Sequence, residues 1–345
     1  MAARWEYFVD VERGLESFAS EELTALGAAC APAPGGLFVD PRGAAKRLKS
    51  LRTVGAVYRR LEFAVPRPKA LLGSGHFRRL STVVSEVARA GGPFTALRIA
   101  AAGADSTVFR RLAEALSESV GLPVDQTGGD LLLRVTPTRS ADAGGWEVLV
   151  RSTPRPTSTR PWRVCNLPGG VNATVAVVMN RLVGEADGDD YLNLMCGSGT
   201  LVIERALSTP RAARLTGVDI SPKALACARA NASAALAGSS ARVSTIEWLE
   251  ADVSELDLGG SYSAITADAP WGDAVGVHAD SRRLHRDLLD CAARAASENA
   301  AFALLTHEVK IANDAIAASR DWRVERSLRV SHGGHNPLLA VLRRV

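Results

Sequence analysis

Aromatic residues make up only 5% of this 345-residue chain. No stretch of about 18 uncharged apolar residues occurs, so a membrane-spanning helix is not expected. The first residues, from Met1 to Phe18, lack a basic segment followed by an apolar one, which argues against export and makes a cytoplasmic protein the expectation. Cysteine is scarce as well: Cys30, Cys165, Cys196, Cys227 and Cys291 are widely spaced, odd in number, and include no Cys-x-x-Cys pair or adjoining histidine cluster. Zinc is therefore not expected, and reduced thiols are. His278, His285, His307, His332 and His335 show no ligand spacing either, so no metal is assigned. Net charge is only +4, too little to argue for a nucleic-acid partner on its own.

What is present is apolar material in quantity, 47% of residues against 23% charged, in a chain long enough for two domains. The charge that exists is unevenly placed. Between Arg42 and Arg79 eleven basic residues, among them Arg67, Lys69, Arg78 and Arg79, face a single acid, Glu62. A second basic group is Arg151, Arg155, Arg160 and Arg163. So lopsided a distribution points to a polyanion, and these eight residues are its candidate contacts.

Hydrophobic periodicity predicts strands at 5–11, 37–39 and 54–65 with a helix at 15–26, then helix 77–90, strand 94–100, helix 106–120 and strands 131–135 and 146–151. This half is mixed α+β, with small domains expected at 1–65 and 66–152. The Pro-, Thr- and Arg-rich stretch 153–168 predicts a linker. Beyond it the rhythm changes: helix 172–183, strand 191–195, helix 201–207, strand 215–219, helix 222–236, strands 243–251 and 264–267, helix 283–296 and strand 302–305. Regular alternation means an α/β domain over 169–345 with a doubly wound, mostly parallel sheet, closed by an antiparallel hairpin from 322–330 and 338–342.

Ligands in such sheets sit at the carboxyl ends of the strands. The first of these runs into Met195-Cys196-Gly197-Ser198-Gly199-Thr200, where glycine lets backbone approach a ligand. The second ends in Asp219-Ile220, about twenty residues beyond the glycine loop, where a carboxylate can bind a ribose diol. The third ends in Asp252-Val253 and the fourth in Asp268-Ala269-Pro270-Trp271-Gly272. An acid, a proline-stiffened turn and an aromatic together are poor core design and good pocket design. Cys196 lies within the cofactor loop and is not read as a nucleophile. The loop is not Gly-x-Gly-x-x-Gly, and the fourth motif has no role in hydride transfer, so a nicotinamide dehydrogenase is disfavoured.

These residues resemble class I methyltransferases of the N-P-P-Y type, and within them the THUMP-domain RNA guanine-N2-methyltransferases, closest to the branch acting at position 6 of tRNA. Asn193 to Thr200 is similar to that family's D-P-x-C/T-G-S-G-T loop, Asp268 to Gly272 to its N/D-P-P-Y/F-G loop, and Gly14-Leu15-Glu16 with Glu21-Glu22-Leu23 to its amino-terminal signature. The resemblance implies a ferredoxin-like domain, a THUMP domain docking the tRNA 3′ end, and a Rossmann-like domain binding S-adenosylmethionine. It implies that Gly197 and Gly199 line the methionine part, Asp219 takes the ribose and Asp252 the adenine amino group, with Asn193, Met195, Cys196, Ser198, Thr200, Ile220, Val253 and Asp268 also at the cofactor and Asn172 to Thr174 helping to enclose it. Asp268 with Ala269, Pro270 and Trp271 would hold the target base, the Asp268 carboxylate and Ala269 carbonyl accepting the two N–H bonds of the amine. Asn193 stands where the family has an acid and Ala269 where it has proline; the first loses the ionic part of an attraction to the methionine ammonium group. Guanine-N2 in ribosomal RNA or at tRNA position 10, adenine-N6, and a non-catalytic relative are the alternatives.

Overall fold

The computed structural model describes residues 5–138, 144–237, 245–270, 278–331 and 334–345. They form two compact units, the first taking the chain up to Thr159 except Glu12–Leu15, the second taking Glu12–Leu15 and Arg160–Val345.

The first unit contains β1 (Tyr7–Asp10), α1 (Glu16–Ala25), β2 (Ala29–Ala33), β3 (Gly36–Asp40), β4 (Ala56–Phe63), α2 (Ser74–Ala90), β5 (Leu97–Ala101), α3 (Thr107–Val120), β6 (Leu131–Pro137) and β7 (Trp146–Arg151). Its strands make one sheet in the order β2-β3-β1-β4-β7-β6-β5. The domain boundary expected at 65 follows β4, which pairs with β1 on one side and β7 on the other, so strands from both expected domains share this sheet. Leu80, Val83, Val84 and Val87 on α2 and Phe109, Leu112 and Leu116 on α3 recur at helical spacing and pack on Leu131, Leu133 and Val135. β2 carries no sequence signal because Ala29-Cys30-Ala31-Pro32-Ala33 lacks branched or aromatic residues; its place at the sheet edge tolerates Pro32.

The second unit contains α4 (Ala173–Val183), β8 (Asp190–Leu194), α5 (Thr200–Ala206), β9 (Arg214–Asp219), α6 (Pro222–Leu236), β10 (Ile246–Glu250), β11 (Tyr262–Asp268), α7 (His278–Ala295), β12 (Ala296–Thr306), α8 (Val309–Ala318), β13 (Trp322–Arg329) and β14 (Leu338–Arg344). The sheet order is β10-β9-β8-β11-β12-β14-β13, parallel through β12 and antiparallel beyond it. This is a doubly wound, Rossmann-like sheet closed by the antiparallel pair β14 and β13. Strand order reverses between β8 and β11, which puts the ligand crevice at their carboxyl ends. Apolar Leu192, Leu194, Ile265, Ala267, Phe302 and Leu304 of the central strands are buried and pack against Leu288, Leu289 and Ala292 of α7. α8 was not expected: its Ala-rich sequence gains its helical stability from packing Ala312 and Ile316 into that core. Among the described residues, no helix is long and apolar enough to cross a membrane.

One expectation is overturned. Cys165 and Cys227 are joined by a disulfide with Cα atoms 5.4 Å apart, while Cys30, Cys196 and Cys291 are free thiols. The two lie 62 residues apart in sequence, and only the fold brings the linker across α6. Asn231, one turn beyond Cys227 on the same helix face, grips the linker too: its Oδ1 accepts from Cys165 N at 2.8 Å and its Nδ2 donates to Cys165 O at 3.0 Å.

Candidate active site

The glycine loop leaves β8 through three left-handed residues, Met195 (φ +58°), Gly197 (φ +54°) and Gly199 (φ +81°). Two glycines are demanded by packing: a Cβ on Gly199 would lie 2.7 Å from the Trp248 ring, and one on Gly217 of β9 would lie 2.6 Å from it. Trp248 thus supports the loop from beneath, and Asn231 Nδ2 steadies it by donating to Ser198 O at 3.1 Å. The loop is locked to the next strand end by Asp219, whose Oδ2 accepts from Gly197 N at 2.8 Å while Oδ1 accepts from Ser221 N at 2.9 Å.

Above this frame lies a cavity of about 650 Å³ lined by Leu167 to Val171, Met195 to Ser198, Thr200, Leu201, Asp219, Ser221 and Asp268 to Pro270. A smaller one of about 150 Å³ adjoins it, sharing Met195 and Asp219 and adding Ile220, Ala251, Asp252, Val253 and Leu284. The dimensions suit an elongated ligand with a flat apolar end. Asp252 Oδ1 accepts from the Ser254 backbone N–H at 2.8 Å and its hydroxyl at 2.7 Å; these bonds hold its carboxyl below the ordinary range, leaving it an ionised acceptor at the small cavity.

Asp268 differs in kind. Among the described residues its Oδ1 is buried without a hydrogen-bond partner, and burial pushes its carboxyl up to about 7. A buried polar atom left unsatisfied in a cavity wall is an acceptor waiting for a donor. The backbone beside it is fixed, because Ala269 N donates to Leu305 O on β12 at 2.9 Å. Burial also raises the Cys196 thiol well above the usual range, which favours the neutral thiol over a thiolate nucleophile.

Most of the sequence-derived residues converge here, with informative exceptions. Asn193 is fully buried and absent from both linings; its Nδ2 donates to Thr266 O at 3.1 Å and Leu194 O at 3.3 Å, bracing β8 against β11, while its Oδ1 is buried with no hydrogen-bond partner among the described residues. Gly199 lines neither cavity and serves the turn. Asn172 caps α4, its Oδ1 accepting from Thr174 N at 2.9 Å and Thr174 Oγ1 at 3.0 Å, while Thr174 itself is fully buried. The wall assigned to those two residues is built by Leu167 to Val171, and Pro168-Gly169-Gly170 just ahead of the cap was the signal for it. Trp271 lies outside the described residues.

Of the RNA candidates, three are spoken for by the fold. Arg151 is buried, donating to Thr153 O and Asp130 O at 3.0 Å each and to Pro154 O. Arg160 forms a buried ion pair with Glu204 at 2.7 Å. Arg163 Nη2 donates to Thr200 Oγ1 at 2.8 Å and Val171 O at 3.0 Å, tying the cavity wall to α5. These arginines are fold elements, and linker arginines next to a domain cannot be told from surface ones by composition. Arg67, Lys69, Arg78 and Arg155 are exposed; Arg79 is exposed while donating to Glu62 O at 2.8 Å.

Comparison with known proteins agrees with the geometry. A tRNA (guanine(6)-N2)-methyltransferase of Thermus thermophilus is 30% identical over 290 residues, 83% of this chain and 77% of that protein. One from Archaeoglobus fulgidus is 29% identical over 201 residues, 51% of this chain and 49% of that protein, so the match spans about half its length. The crystal structure of TrmN from Thermus thermophilus superposes with a TM-score of 0.74 at 26% identity, covering 98% of this chain and 99% of that one. Residues 160–337, which hold the glycine loop, Asp219, Asp252 and Asp268, match the model described as RMKL-like, methyltransferase domain, and the chain belongs to that family.

Proposed function

We propose that this protein transfers a methyl group from S-adenosylmethionine to the exocyclic N2 of a guanine in tRNA, at position 6 of the acceptor stem. The observation that carries the reading is the buried, unpartnered Asp268 Oδ1, set in the same cavity as the glycine loop and Asp219.

The residues present fit the cofactor. Gly197 and Ser198 would take its methionine part, the free lone pairs of Asp219 its ribose hydroxyls, and Asp252 its adenine amino group, with Ile220, Val253 and Leu284 against the ring. When bound it supplies an electrophilic methyl carbon on a sulfonium. The chain's own residues do the rest. A guanine amine is a poor nucleophile because its lone pair is delocalised into the ring, so it must be aimed and its N–H bonds drawn on. Asp268 Oδ1 accepts one N–H and the Ala269 carbonyl the other, and the anchoring of Ala269 on β12 fixes the angle at which the nitrogen points. Trp271, two residues beyond Ala269, would stack on a base flipped from the stem, which offsets part of a cost of roughly a few kcal/mol.

The first unit is read as ferredoxin-like over 1–65 and THUMP over 66–152, docking the tRNA 3′ end through Arg67, Lys69, Arg78, Arg79 and Arg155; their exposure supports this. Incubation with labelled S-adenosylmethionine and unmodified tRNA, followed by nucleoside analysis, tests the assignment. N2-methylguanosine is the expected product. N6-methyladenosine, or labelling confined to ribosomal RNA, would overturn it.

A further inference from the structure

The short segment Glu12–Leu15, which follows β1 in the chain, packs with the methyltransferase unit. Ser331 N donates to Arg13 O at 2.8 Å, and Asn172 Nδ2 donates to Glu12 Oε1 at 3.3 Å. Gly14, at φ +94°, passes so near the end of β13 that a Cβ there would meet Arg329 O at 2.2 Å. The fold therefore brings Arg13 beside Arg329, two residues from opposite ends of the chain, and both are exposed.

Strand register says where this pair lies. Asp268 pairs with Leu305, Leu305 with Leu339, and Leu339 with Leu328; one residue further on, Thr306, Leu338 and Arg329 stand in a row. Strands are spaced about 4.8 Å apart, so Arg329 lies roughly 14 Å along the carboxyl edge from Asp268. Lys310, second residue of α8, is exposed where the chain leaves the same edge of β12.

No ion pair to Arg13, Lys310 or Arg329 occurs among the described residues; the acids nearest Arg13 and Lys310 in the chain are Glu12, which accepts from Asn172 Nδ2 at 3.3 Å, and Glu308. Charges along an edge strand also deter edge pairing, which accounts for Arg323 and Arg326 on β13. That account does not reach Arg13, which is in no strand, or Lys310, which heads a helix. Cations gathered by folding onto one edge, without an ion-pair partner among the described residues and next to the catalytic loop, suit a polyanion.

We propose that Arg13, Lys310 and Arg329 form a phosphate-binding rim on the methyltransferase unit that holds the RNA backbone beside the nucleotide presented to Asp268. The proposal rests on RNA being the substrate, and its test is direct binding of the full-length protein to unmodified tRNA, read by fluorescence anisotropy between about 50 and 200 mM salt. Arg13→Glu with Arg329→Glu should weaken binding at least tenfold and lower the slope of log affinity against log salt by about 2, one for each phosphate no longer neutralised. Arg13→Lys with Arg329→Lys should keep the slope, and Arg323→Glu, at the far end of β13, should bind as the unaltered protein does. S-adenosylmethionine binding by calorimetry should be the same in all. Unchanged affinity and slope in the double Glu variant would overturn the rim. Binding that responds as expected while no N2-methylguanosine forms would leave the rim standing and remove the guanine assignment instead.

Discussion

Replacing Asp268 by Asn separates the two things this carboxyl does. The side chain keeps its size and its Oδ1, but loses its ionisation. In the folded protein the carboxyl sits at about 7 instead of 3.8, because burial disfavours the anion. The folded state therefore binds a proton more tightly than the unfolded chain, and stability falls as pH rises from about 4 to about 7, where the unfolded state has already released its proton. Raising a carboxyl from 3.8 to about 7 amounts to on the order of 4 kcal/mol of stability withheld above neutrality. Asp268→Asn should recover a large part of this at pH 8 and almost none near pH 4. Methyl transfer should move the other way. A charge-assisted hydrogen bond contributes about 1.5 to 3 kcal/mol, so its loss should lower kcat by roughly 10- to 150-fold, and Asp268→Ala, lacking the acceptor altogether, by at least as much. Urea unfolding at pH 5, 6.5 and 8 beside single-turnover methylation of tRNA supplies both readings. A stability difference flat across that range, or activity within about tenfold of the parent in Asp268→Ala, would refute the assignment of this carboxyl.

Unaltered protein should show kcat/KM for tRNA rising through pH ~7 as Asp268 ionises, whereas the Asn variant loses that limb; a shared profile would place the titration elsewhere. Gly217→Ala sets a methyl group 2.6 Å from the Trp248 ring and should cost about 1 to 3 kcal/mol by denaturant titration, with Trp248→Leu restoring part of it. Arg160→Ala removes the guanidinium paired with buried Glu204 at 2.7 Å and should cost about 3 to 5 kcal/mol with no change in the salt slope of tRNA binding, which distinguishes a fold element from an RNA contact. Asp219→Asn should weaken S-adenosylmethionine binding about tenfold or more through its bonds to the ribose and Gly197, leaving tRNA affinity as it was.

Local residue pattern alone set the fold class of the second half and the order of its ligand-facing strand ends. Apolar runs of strand length alternating with helical periodicity leave a parallel sheet as the solution, and the crevice of such a sheet lies where its strands end. Glycine at 197 and acids at 219, 252 and 268 were legible for that reason, since each follows a strand in a fixed local relation to its backbone. Contacts between residues distant in the chain were not legible. Asn193 occupies the position of the family's acid yet faces Thr266, because the neighbour across the ladder decides what a strand side chain meets. Arg151, Arg160 and Arg163 looked like surface cations until burial gave them carbonyl, carboxylate and hydroxyl partners. Trp248 supports the glycine loop from a strand that shows no sign of it, and the disulfide joins cysteines 62 residues apart. Local periodicity encodes which elements form; packing, through burial and the requirement that buried polar atoms find partners, decides which side chains remain free to do chemistry.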